Sequence, residues 1–410
     1  MVAGLLFTYG LIAVVLVVNA LRSPKPPTHR LPPLWLPAMI ASEAAGLWLV
    51  VVAAVTALGL AAHAWNQQLG RLGIVLLILA FSGQVAVWLR SHLGARRVGP
   101  GARHGGPLWR RLLNRPPRPA DDLEFETREL APHPHRREPL QMDLYRRVGI
   151  GRPLGLIIYV HGGGWRGGHP RQAGQLLLQH LARSGWEVAA IEYPLSPAAT
   201  FPEHLAGIDA ALAWAESIER GPIVLMGGSS GAHLAAVAAL TRANVHGLVG
   251  LYGIYDFLNR NRTRVDWPLI PRLVMKTTPE EDPEAYRRAS PVDLVHGSAP
   301  PTLLVTGSFD SLVPPEESRH FARALRAHGV DTTYLEVPWA QHGFDTLAGP
   351  RTRAVAAAIE TWLGSHVLAA PTGPRVDEDP PPSSRFGYRS GHESRARNRE
   401  GGLPGRSGNG

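Results

Sequence analysis

The chain has 410 residues, 45% of them hydrophobic, and a formal net charge of +9. It contains no cysteine, which excludes a disulfide framework, a thiolate metal site and a cysteine nucleophile. The positive charge is almost all arginine, Lys25 and Lys276 being the only lysines, and it forms no basic stripe interleaved with aromatics; nucleic acid is not an expected partner.

Apolar residues crowd into the first ninety positions, so residues 1–91 read as a membrane region with spans near 2–21, 38–62 and 72–89. The third is short enough to be interfacial, which would leave two. The first run lacks a basic leading segment and is followed by further apolar runs, so it reads as a retained helix and not a cleaved signal. Glu43 is the only acid in the second run; its place near a helix end suggests a snorkelling or protonated carboxyl. Arginine placement sets the orientation. Arg22, Lys25 and Arg30 follow the first run, and Arg90, Arg96, Arg97, Arg103, Arg110, Arg111, Arg115 and Arg118 follow the third, against Arg71 alone on the other side. The positive-inside rule then puts the N-terminus outside and everything after the third span in the cytoplasm. The basic stretch from Arg90 to Arg118, with Trp109, Leu112 and Leu113, suits contact with anionic lipid, although a stop-transfer flank explains it equally well.

Residues 92–120 read as a basic Pro/Arg-rich linker, 121–369 as a globular domain and 370–410 as a disordered polar tail. Within the domain, strands are expected at 123–128, 142–146, 156–160, 187–192, 223–226, 247–251, 302–306 and 332–337. Helices are expected at 171–184, 204–218, 232–241, 315–327 and 351–363. Two strands followed by strand–helix alternation predict an α/β fold: a mostly parallel sheet with an antiparallel start and helices on both faces.

Three stretches carry chemistry. Gly227-Gly228-Ser229-Ser230-Gly231 stands between an apolar strand and an alanine-rich helix, where a sharp turn lifts a serine hydroxyl clear of the sheet. On its own this G-x-S-x-G pattern is weak. His161-Gly162-Gly163-Gly164-Trp165 follows the strand at 156–160, and its glycines let main-chain N–H groups face a developing oxyanion. Gly163, Gly164 and Ser230 are the expected donors, with His161 bracing the loop. Finally, Asp310 follows the strand at 302–306 and His342 follows the last strand, so Ser229, Asp310 and His342 occur in the order of an acyl-transfer triad. Asp256 and Asp293 are competing acids.

These motifs, with His233-Leu234-Ala235 and His342-Gly343-Phe344, resemble the hormone-sensitive-lipase-like carboxylesterases of the α/β-hydrolase superfamily, and the feruloyl-esterase-like branch is similarly close. The resemblance covers roughly residues 140–365. It implies ester hydrolysis through an acyl-enzyme without a cofactor, on a small-molecule or lipid-like ester. The apolar spans ahead of such a domain resemble a set of bacterial membrane carboxylesterases, which implies an integral protein of the bacterial cytoplasmic membrane. Gly228-Ser229-Ser230-Gly231 and Glu192-Tyr193-Pro194 depart from the usual Asp-Ser-Ala-Gly and Asp-Tyr-Arg. An amidase or formamidase, or a non-catalytic binding protein on the same fold, are the alternative readings.

Trp165, Phe309, Trp339 and Phe344 flank motif residues and are candidate pocket walls. The segment 254–292, apolar from Trp267 to Met275, is either a cap over the serine or a core helix pair. His133 and His135, with His104 upstream, have no carboxylate at ligand spacing, so no metal site is expected. Asn261-Arg262-Thr263 is a chance sequon if the domain is cytoplasmic.

Overall fold

The computed structural model describes residues 1–22, 35–100, 122–218, 221–264 and 268–369. Lys25, Arg30, His104, Asp121, Trp267, the arginines from Arg103 to Arg118, Trp109, Leu112, Leu113 and the 370–410 tail lie outside the described residues.

Eight strands form one sheet: β1 (Leu123–Ala131), β2 (Leu140–Arg147), β3 (Leu156–Val160), β4 (Glu187–Ile191), β5 (Ile223–Gly228), β6 (Gly247–Leu251), β7 (Thr302–Gly307) and β8 (Thr332–Val337). Their order is β1-β2-β4-β3-β5-β6-β7-β8. The β1–β2 hairpin is antiparallel, β2 pairs antiparallel with β4, and every later pairing is parallel. Side chains alternate between two buried layers, as a period of two requires. Leu156, Ile158 and Val160 face one layer, and Ile157 and Tyr159 face the other. Helices α6 (Ala206–Ser217), α7 (Ser230–Thr241) and α9 (Pro315–Ala327) cover the first layer; α5 (Gln175–Arg183) and α10 (Pro350–Leu363) cover the second. Each buried Leu or Ile contributes about 1.5–3 kcal/mol, so a sheet buried on both faces is the dominant stabilising element. The short helix α8 (Pro283–Arg288) lies in the β6–β7 crossover, capped by Asp282, whose carboxylate accepts the Ala285 N–H.

Ahead of the sheet come α1 (Val2–Leu21), α2 (Trp35–Glu43), α3 (Ala45–Ala61) and α4 (Gln68–Val98). By length and composition α1 and α4 can each cross a membrane. The expected second span at 38–62 is not one straight helix. It is α2 and α3, bent by 86°. Two interactions flank the bend. Across the break, Gln84 of α4 donates to the carbonyl of Ala41 at 2.9 Å, satisfying a group the interrupted helix leaves open. Glu43, at the break, is drawn toward the sheet domain and pairs with Arg351 of α10 at 2.8 Å, both side chains being buried. Its burial therefore overturns the snorkelling reading, one of the two that its position near a helix end suggests. The third expected span, 72–89, extends to Val98, taking in residues read as linker. Arg90, Arg96 and Arg97 mark the end of the apolar stretch, but arginine is a good helix former and the backbone continues.

Candidate active site

Loops at the C-terminal ends of β3, β5, β7 and β8 meet over the middle of the sheet. Ser229 lies between β5 and α7 with φ 54° and ψ −121°, a left-handed conformation for a non-glycine residue. Its N–H donates to Leu251 at 2.9 Å, anchoring the turn to β6. Gly231 permits that turn because any side chain there would run into the Val160 carbonyl. Between residues 223 and 240 Ser229 alone is not buried, so the turn presents one hydroxyl outward from a closed strand–helix unit.

His342 Nε2 is 3.0 Å from Ser229 Oγ, and its Nδ1 is 2.8 Å from Asp310 Oδ2. The other Asp310 oxygen accepts the N–H groups of Leu312 at 3.0 Å and Val313 at 2.7 Å. Those amides fix the carboxylate, which holds a proton on Nδ1 and leaves Nε2 as acceptor toward the serine. The arrangement can withdraw a proton from the hydroxyl. Asp256 and Asp293 are engaged elsewhere, both bound to Arg260.

The glycine loop passes beside the serine: a Cβ on Gly162 would stand 3.3 Å from that of Ser229. Gly163 has φ 136°, and its Cβ direction is blocked by the Gly167 carbonyl, so only glycine fits there. Gly164 follows with φ 62° and faces Leu269. Ser230 opens α7, placing its amide at a helix N-terminus adjacent to Ser229. His161 stacks on Tyr193 with ring centroids 4.5 Å apart, and Nδ1 contacts the Gly162 carbonyl at 2.8 Å. Burial pushes its imidazole down to about 4, so it is neutral and braces the loop.

Not every expected pocket wall is one. Trp165 and Phe344 have no exposed surface. The Trp165 indole N–H donates to His233 Nδ1 at 3.1 Å, while His233 Nε2 reaches the Ala289 carbonyl at 2.7 Å, so that pair ties the glycine loop to α7 and α8. Phe344 packs edge-on to Tyr252 inside the second layer. Trp339 lies beneath α4 with Arg97 over its ring at 4.8 Å, joining the helical region to the sheet domain. Phe309 remains partly exposed beside Asp310. In the 254–292 segment, Ile270, Val274 and Met275 join the main core, and Leu269 packs against that core and beside Gly164 of the glycine loop; the core reading describes most of it. His133 and His135 interact with each other, and His135 reaches Glu203 at 3.4 Å.

Two residues beside His342 carry no motif. Tyr252, at φ 41°, sets its ring 4.7 Å from the imidazole and donates its hydroxyl to the buried Asp345. Trp35, the first residue of α2, meets the same imidazole edge-on at 5.5 Å. The Tyr252-Gly253 turn after β6 was a local signal for the first. Trp35 is 307 positions from His342 and had none.

The BD-FAE family model matches residues 142–325. Esterase LipQ of Mycobacterium tuberculosis is 34% identical over 62% of this chain and 66% of its own length. Esterase LipC of the same organism is 36% identical over 55% of this chain and 62% of its length. The chain thus spans somewhat under two thirds of these relatives. Among solved structures, an esterase of Pyrobaculum calidifontis aligns over 61% of this chain and 87% of its own, with TM-score 0.51 and 23% identity. A bacterial heroin esterase aligns over 60% and 85%, with TM-score 0.51 and 24% identity. At such identities the structural likeness speaks for the fold. Sheet topology and the structural likeness give the chain the α/β-hydrolase fold, and by the family match and the relatives its sheet domain is similar to the hormone-sensitive-lipase-like and feruloyl-esterase-like carboxylesterases.

Proposed function

We propose that the chain is a membrane-anchored serine carboxylesterase. One observation carries this reading: an imidazole bridges a strained, outward-facing serine hydroxyl and a buried, amide-bound carboxylate, beside a triple-glycine loop. Ser229 attacks the ester carbonyl while His342 takes its proton, and Asp310 keeps the imidazole in the right tautomer and orientation. The N–H groups of Gly163, Gly164 and Ser230 receive the oxyanion; their dipoles are fixed beforehand, so the developing charge needs no reorganisation. His342 then protonates the departing alcohol, and water activated by the same base releases the acid. No step calls for a cofactor.

Anchoring rests on α1 and α4, and on the α2–α3 pair if it counts as a third span. Arg22, Arg90, Arg96 and Arg97 gather where the helices meet the sheet domain, Arg90 donating to the Leu21 carbonyl at 2.8 Å, whereas Arg71 opens α4 at its far end. That asymmetry supports a cytoplasmic hydrolase domain, with the arginine end available to anionic headgroups. The domain limits follow: membrane helices to Val98, a basic connection, the hydrolase body from residue 122 to 369, and the polar tail.

The test is turnover of p-nitrophenyl esters and of the matching anilide. Ser229→Ala should lower kcat on the order of 10⁴-fold or more and abolish fluorophosphonate labelling. Wild-type turnover in that variant would remove the assignment, and preference for the anilide would move it to the amidases.

A further inference from the structure

The helix that touches the imidazole belongs to the membrane region. Trp35 opens α2 and stands edge-on to His342 at 5.5 Å. Behind it, Ala38, Met39 and Ala41 are buried, while Leu36 and Ile40, one helical turn apart, are 42% and 38% exposed. One face of α2 thus covers the site and the opposite face is apolar and uncovered. The 86° bend sets α2 roughly perpendicular to α3, as a helix lying along a membrane surface stands to one that crosses it. Its position is fixed. The Gln84 hydrogen bond holds the bend from α4, and Glu43 at its end is paired with Arg351 of the sheet domain. A side chain on Gly94 would stand 2.7 Å from the Pro338 carbonyl, so α4 rests directly on the loop leading to His342. In the glycine loop, Leu269 lies beside Gly164.

We propose that the ester reaches Ser229 from the bilayer, with Trp35 forming a wall of the site against which a long apolar chain lies; the substrate class is a membrane-dissolved ester with a long hydrocarbon chain. The proposal rests on the esterase reading for its chemistry. Its geometry depends only on α2 standing between hydrocarbon and imidazole. An ester dissolved in the bilayer is concentrated at the Leu36–Ile40 face. Its chain can remain in an apolar medium while the carbonyl reaches the serine, so little apolar surface crosses water on the way. A small soluble ester gains nothing from this arrangement.

Two measurements test it, both with the full chain in phosphatidylcholine–phosphatidylglycerol vesicles. In the first, a diazirine-tailed palmitoyl p-nitrophenyl ester is photolysed with the Ser229→Ala protein and adducts are mapped by mass spectrometry. Adducts within Trp35–Glu43 that unlabelled palmitoyl ester competes away support the proposal. Adducts confined to α1 and α4, or insensitive to competition, overturn it. In the second, KM is measured for the palmitoyl and acetyl esters. Trp35→Ala should raise the ratio of palmitoyl to acetyl KM about ten-fold, and Trp35→Phe should restore most of it, because the ring is the contact. An unchanged ratio in Trp35→Ala overturns the assignment. Wild-type protein that hydrolyses neither ester would defeat the esterase reading, while the adduct map still decides where the chain binds.

Discussion

In β3 every residue from Leu156 to Val160 is buried, whereas on α1 and α4 Leu5, Val15, Ile78 and Leu79 are more than half exposed. The residue types are the same and their treatment is opposite. A sheet covered by helices on both faces is organised against water. Helices that turn large aliphatic side chains outward suit a medium that is itself apolar. The junction between these regions is where the rules cross: there a carboxylate and a guanidinium are both removed from solvent. Burial of this kind teaches that the helices are fastened to the sheet domain by specific contacts as well as by the chain.

Separating the chemistry of the body from the attachment of the helices should give the largest effect. Asp310→Asn leaves packing in place but inverts the hydrogen bond that sets the imidazole tautomer, so kcat should fall about 10⁴-fold. Vesicle association, measured by flotation, should be unchanged; loss of both together would mean the two regions are not distinct in this respect. Next comes the junction itself. Glu43→Ala leaves the Arg351 cation buried without its partner, which should cost about 3–5 kcal/mol, read as a lower thermal midpoint in detergent. The double change Glu43→Ala with Arg351→Met should recover most of that, since a matched pair of apolar groups removes the uncompensated charge.

Acid should act on the body and spare the helices. Burial pushes His161 and His204 down to about 4 and His233 down to about 3. These values lie below the ordinary 6.5, so the unfolded chain takes up protons first as pH falls. Stability is complete above about pH 6.5 and should decline by about 3 kcal/mol or less per histidine between there and pH 4. Urea titrations of the purified protein at several pH values check this. Near-ultraviolet signals from the body should be lost at acid pH before far-ultraviolet helicity of α1, which carries no histidine, and of α4, whose His92 is not buried. The smallest effect belongs to the surface of the junction: Arg97→Gln removes a cation from the Trp339 ring and should lower the thermal midpoint by the equivalent of about 0.5–1 kcal/mol.

Much of the sheet domain was legible because its information is local. Strands β3, β6 and β8 coincide with the apolar runs that predict them, and α9 with its amphipathic pattern. Helix α5 starts later than expected, at Gln175, because Gly174 at φ 73° interrupts the pattern. Each residue of the proposed triad stands just after a strand, where sequence context alone brings it to one edge of the sheet. What could not be read depends on distance along the chain. At the break, Glu43 pairs with Arg351, over three hundred positions away. Trp165 and Phe344 looked like pocket walls because they adjoin motif residues, yet local order does not say which side of a loop faces the core. Trp35 was silent for the same reason: an aromatic at a helix start is ordinary until the fold carries it to the imidazole.

The close seating of α4 and α10 has a practical consequence for anyone isolating the body by itself. A fragment beginning near residue 122 would bare the Pro338 carbonyl, the Trp339 ring and the guanidinium of Arg351 on one newly opened face. Such a truncation is expected to aggregate or to require Arg351→Met and a polar replacement of Trp339 before it behaves as a soluble monomer by size-exclusion chromatography.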